Sequence, residues 1–254
     1  MQTEAPSVRR VVIGFDPAPA DAAALQVAAG LAARRGAPLV GLYVEDERLL
    51  RLAELPFARE LGFPSAHSRR MRPQDIAAAL RAQAEHVRRL VARTADPLKL
   101  IWTLEVVRGE LLRAALGATA MSDLLVVPGA QAIGLPRPVR AGGPVVVVFE
   151  ETSAARRALV LAGELRRATG SELVVLVEER DVAAFRALRA ATPRDPASGA
   201  AGARWLQLPR DDLGLLKRIL LVQRPAAVVL PRRGDEDLER LARPQFACPL
   251  ILVG

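Results

Sequence analysis

The chain has 254 residues, 51% of them hydrophobic, and a net charge of +8 carried almost wholly by arginine. That is enough apolar material for one large core or two ordinary ones. No run of about 18 uninterrupted apolar residues is present, so no membrane-spanning helix is expected. A single cysteine, Cys248, excludes an intrachain disulfide, and two separated histidines, His67 and His86, argue against a Cys/His zinc site. The N-terminal stretch MQTEAPSVRR has no apolar signal core, which predicts a cytoplasmic protein. Arginine pairs recur along the chain, but they are scattered, and aromatic residues for base stacking are scarce. The charge therefore reads as solvated helix faces and not as a nucleic-acid surface.

In chain order, RVVIGF is a short β-branched run suited to a buried parallel strand. A helix follows, with apolar residues at 24, 27, 28 and 31 on one stripe, ending near Gly36. PLVGLYV is the returning strand, and strand–helix–strand of this length predicts a right-handed crossover. An insertion at about 46–75 predicts a short amphipathic helix around Leu49–Phe57 and then a mobile basic loop, GFPSAHSRRMRP. A long helix over 75–94 and a strand over 99–107 come next, then a third helix in ELLRAAL and a strand in DLLVV. GAQAIGLPRPVRAGG holds too many prolines and glycines for a helix.

The pattern then restarts. Residues 145–179 align with 11–45 at a constant offset of 134 without a gap, and thirteen of the 35 pairs are identical. That is duplication. PVVVVF is the first strand of the second copy, followed by a helix ending at Gly170, a strand in ELVVLVE and a short helix over about 181–191. A turn-rich loop, ATPRDPASGAAG, leads to strands in ARWLQL, PAAVVL and PLILV. The expected division is 1–144 and 145–254. The first copy lacks its own fifth strand, and strand 145–149 is assigned to the second sheet. The last strand, 249–253, is the expected edge for pairing with a second chain in a homodimer.

These segments, in this order, resemble tandem universal stress protein (UspA-type) domains. The residues that carry the resemblance are VVIGFD ending in Asp16, ALQVAAGLAARRGAPLVGLYV, VVRGELLRAAL with Val107 and Gly109, and SDLLVV. In the second copy they are ALVLAGELRRATGSELVVLV, PAAVVL and the closing CPLILV. The resemblance implies two doubly wound α/β domains of the adenine nucleotide alpha hydrolase-like type, each with a parallel sheet of strand order 3-2-1-4-5. It also implies a nucleotide site in those members that bind ATP. There an acid after strand one and a backbone position of strand two hold the adenosine, and a glycine motif after strand four holds the phosphates. On this chain Asp16 matches the acid and Val44 the strand-two position, while Ala18 stands where the family often has serine. In the second copy Glu150 takes the acid position, with Thr152 two residues on.

The glycine motif is broken in both copies. Pro128 replaces its first glycine and Gln131 its second, and Gly129 is out of phase. The second copy reads Pro231, Arg232, Arg233, Gly234, and then Pro244-Gln245 where a glycine pair belongs. Proline supplies no N–H and fixes φ, so it cannot build its part of an anion-binding turn. Arg232 and Arg233 could grip a phosphate directly, against the simpler reading of solvated loop arginines. Asp16 also reads as a turn former, and Asp211-Asp212 and Asp235–Asp237 as acids opening helices. Cys248 reads as a small buried hydrophobe.

The resulting expectation is a non-enzymatic stress-response or regulatory binding module with decayed ATP sites, no catalytic residue, no metal and no required cofactor. Its vestigial nucleotide positions are Asp16, Val44, Gly129, Arg232, Arg233 and Gly234. The alternative is an ATP-binding protein using Asp16, Val44 and the 128–143 loop. Partners are an unidentified protein or a second copy, with neither membrane nor nucleic acid.

Overall fold

The computed structural model describes residues 8–16, 22–62, 67–129, 143–191, 202–208, 213–232 and 248–254. Its first half runs β1 (Val11–Phe15), α1 (Ala22–Arg35), β2 (Leu39–Asp46), α2 (Glu47–Glu54), β3 (Arg59–Gly62), β4 (His67–Arg70), α3 (Pro73–Ala95), β5 (Trp102–Gly109), α4 (Leu111–Ala118) and β6 (Leu124–Val127). The second runs β7 (Val145–Phe149), α5 (Ser153–Thr169), β8 (Leu173–Glu178), α6 (Val182–Ala191), β9 (Arg204–Leu208), α7 (Leu213–Gln223), β10 (Ala227–Pro231) and β11 (Leu250–Val253).

The strands that read as apolar on both faces are buried on both: β1, β6, β7, β10 and β11 have no exposed residue. Helices cover each face. Leu25, Ala28, Leu31, Val87 and Val91 of α1 and α3 pack with Leu159, Ala162 and Leu165 of α5 on one side. Ala115 and Leu116 of α4 and Leu216 and Leu220 of α7 lie on the other. Gly36 and Gly170 end their helices at φ 58° and 66°, a left-handed conformation that costs glycine little.

All nine core strands form one sheet, ordered β5-β2-β1-β6-β11-β10-β7-β8-β9. The second half shows the order 3-2-1-4-5, with β7 as its first strand. The first half shows 3-2-1-4 and stops. The vacant fifth position is filled by β11, which pairs parallel with β10 on one side and antiparallel with β6 on the other. Two parallel blocks of opposite direction are thereby welded into a continuous hydrogen-bonded sheet.

This corrects the expectation that 249–253 is an edge for a second chain. Ile251 faces Val126 in one register and Val229 in the other, so both sides of β11 are used within the chain. Gly254 lies so close to the backbone of Met121 that a Cβ there would overlap it. Among the described residues the edges of the sheet are β5 and β9.

The insertion also differs from its expectation. Within the basic segment, His67–Arg70 forms a strand paired antiparallel with Arg59–Gly62. Arg59 Nε donates to the Ser68 hydroxyl at 2.7 Å, so side chains reinforce a ribbon whose polar sequence carries no alternating apolar signal.

Candidate functional site

In a doubly wound sheet the ligand crevice opens at the carboxyl ends of the strands, where the strand order reverses. This chain has two such points, β1/β6 and β7/β10. Because the blocks run in opposite directions, they lie at opposite ends of the sheet.

At the first point Asp16 follows β1 and is exposed, while Val44 lies within β2 and is buried. Pro128 and Gly129 follow β6 and are half-buried. Beneath Asp16 sits Tyr43, in register with Phe15 and fully buried. Its hydroxyl has no hydrogen-bond partner among the described residues. Burial first, then the charges of Glu45 and Asp16, push its pKa up to about 12. Asp46 is committed to capping α2, accepting from the Arg48 amide at 2.8 Å, and Glu45 pairs with Arg108 at 3.1 Å. Ala18 and Gln131 lie outside the described residues.

The second point has a different chemistry. Glu150 follows β7 and is buried. Glu178, which the 134-residue offset places at the position of Val44, is also buried, as is Asp181. Asp181 accepts from the Glu151 amide at 3.3 Å, and Thr152 caps α5 through the Ala155 amide at 3.1 Å. Arg180 reaches both Glu178 at 3.0 Å and Asp181 at 3.4 Å. This point therefore carries three buried carboxylates, two of them paired with Arg180. The offset of the repeat was the signal that could have exposed Glu178 in the sequence.

Arg232, expected as a phosphate grip or a solvated loop residue, is engaged within the chain. Its guanidinium reaches across to the end of α4 in the first half. Nη1 donates to the carbonyl and the hydroxyl of Thr119, both at 3.1 Å, and Nη2 donates to the Leu116 carbonyl at 3.0 Å. Its own amide donates to the Val253 carbonyl at 2.7 Å. A cation at the carbonyl end of a helix satisfies orphan acceptors and opposes the helix dipole. Arg10 adds a second such contact, donating to the Ala118 carbonyl and pairing with buried Asp123 at 2.9 Å. Arg233, Gly234, Asp211-Asp212, Asp235–Asp237 and Pro244-Gln245 lie outside the described residues. Cys248 is buried, as expected, and His86 is exposed.

Among the described residues no group of three or more His, Cys, Asp or Glu could hold a metal ion, and no helix is long and apolar enough to cross a membrane.

Comparison with known proteins places this architecture. No curated protein matches the chain. A universal stress protein from Archaeoglobus fulgidus DSM 4304 has a similar structure, with 12% identity, 95% of each chain covered and a TM-score of 0.51. At that identity the likeness is one of fold. Shorter matches include a Burkholderia pseudomallei protein of the same family, with 24% identity, 46% of this chain and 98% of that one covered, and a TM-score of 0.34. Another is an Archaeoglobus fulgidus universal stress protein described in complex with dAMP, with 18% identity, 45% and 100% covered, and a TM-score of 0.35. The family model described as universal stress protein family matches residues 7–104. That segment is therefore similar to the universal stress protein family, and the chain as a whole shares the fold of the solved structure it resembles.

Proposed function

We propose that the chain is a non-enzymatic universal stress-type binding module, of a stress-response or regulatory kind, in which the nucleotide sites have been given over to structure. Its two halves, 1–144 and 145–254, act as one body in the cytoplasm. The observation that carries this reading is Arg232. This cation of the second phosphate turn donates to Leu116 and Thr119 of the other half. Glu150, Glu178 and Asp181, buried where an adenosine would enter, support the same conclusion. In the first half, Pro128 removes an amide donor from the turn after β6. A second chain, where one binds by strand pairing, has β5 and β9 available to it.

A second reading keeps an adenine nucleotide in the first half, on Asp16, Val44 and the 128–143 loop. The exposure of Asp16 at the β1/β6 crevice favours it. A thermal-shift titration with magnesium-ATP, run beside inorganic tripolyphosphate, separates the two. A nucleotide site filled at 100 times its dissociation constant adds about 2.7 kcal/mol. The first reading expects ATP to stabilise no more than tripolyphosphate does. A clear excess for ATP that Asp16→Ala removes would establish the second.

A further inference from the structure

The C-terminal turns of α1 and α5 meet across the junction between the halves and enclose an open cleft of about 550 Å³. Arg34, Arg35, Glu164, Arg167 and Ala168 line it. At its base Arg35 and Glu164 form a 2.7 Å ion pair, each about three-quarters buried, which fixes the two helices relative to each other. Three guanidinium groups against one carboxylate leave the lining with a surplus of two positive charges. Since Glu164 is matched by Arg35, that surplus resides on Arg34 and Arg167. Both are exposed, and neither makes a hydrogen bond or ion pair with a described residue.

We infer that this cleft binds a small polyanion bearing at least two phosphate or carboxylate groups, held by Arg34 from the first half and Arg167 from the second. Guanidinium forks present paired donors that match such groups. A single anionic group would neutralise half of the surplus, whereas two or more answer both arginines. The partial negative charge at the two helix C-termini offsets part of that surplus, so the direct guanidinium contacts of Arg34 and Arg167 must carry the binding. The volume suits a small molecule. The lining holds no aromatic residue on which a nucleic-acid base could stack. The site is independent of the crevices at β1/β6 and β7/β10, and a bound ligand bridges the halves.

The test is calorimetric titration of the full chain with inorganic tripolyphosphate and, separately, citrate, at matched ionic strength. At least one binds at a single site, and the tighter one identifies the group preferred. Arg34→Gln and Arg167→Gln each weaken binding at least tenfold, and the double substitution abolishes it. Arg93→Gln, which removes an exposed arginine of α3 outside the cleft, leaves binding unchanged. Failure of both probes to bind overturns the inference. So does binding that survives loss of Arg34 or Arg167, or that falls equally with Arg93→Gln.

Discussion

Arg232 and Thr119 are separated by 113 residues of sequence, yet one guanidinium nitrogen of Arg232 lies 3.1 Å from both the carbonyl and the hydroxyl of Thr119. The contact joins the end of β10 to the end of α4. It ties the second half to the first. Hydrogen bonds from a charged donor contribute about 1.5–3 kcal/mol. Arg232→Ala is expected to destabilise the fold by about 2–3 kcal/mol in urea denaturation. Arg232→Lys should recover less than half of that, because a point charge cannot reach Leu116 and Thr119 together.

The neighbouring Asp123 has a fully buried side chain. Its Oδ2 accepts from Arg10 at 2.9 Å and from the Ala120 amide at 2.8 Å. Removing one partner of a buried ion pair leaves an uncompensated charge, so Asp123→Ala should cost about 3–5 kcal/mol. A loss below 1 kcal/mol in the same assay would show that this corner is not held as described.

Tyr43 offers a pH-dependent readout. Its folded pKa, about 12, stands above the ordinary value of 10. Below pH 10 the phenol is protonated in both folded and unfolded chains, and stability is unaffected by it. Between pH 10 and 12 the unfolded chain releases this proton and the folded one keeps it, so stability falls, by about 1.4 kcal/mol per unit. Tyr43 is the sole tyrosine, so phenolate absorbance reports it directly. Tyr43→Phe should remove this part of the alkaline loss. It should also add about 1 kcal/mol at neutral pH, since the hydroxyl is buried without a partner.

The shared strand β11 joins the two halves in one hydrogen-bonded sheet, and they are expected to unfold together. Ile251 is fully buried between Val126 and Val229. Ile251→Ala should cost about 2–5 kcal/mol, and the chain should still unfold in a single transition seen alike by heat and by circular dichroism. Two separated transitions would show that the halves are independent.

Much of this architecture was legible in the sequence because its signals are local. β1, β7 and β10 announce themselves as short runs apolar on both faces. The constant offset between copies marks the crossover units. What lies beside β6 was not legible. Pairing of β11 with β6 joins residues more than a hundred positions apart, and nothing in PLILV distinguishes an edge strand from one flanked on both sides. The β3–β4 ribbon was hidden by its charge. The role of Arg232 depends on where α4 ends in space, which spacing along the chain does not encode. Asp16 directly follows β1 and Val44 lies two residues before the end of β2, positions that the strand patterns alone fix.

The central claim is that neither strand-end crevice takes a nucleotide. Isothermal titration of magnesium-ATP into the Arg34→Gln, Arg167→Gln protein tests it most directly, because that chain has lost the cleft that could hold a triphosphate elsewhere. The account predicts no saturable heat. Saturable uptake at one site per chain, abolished by Asp16→Ala, would contradict it.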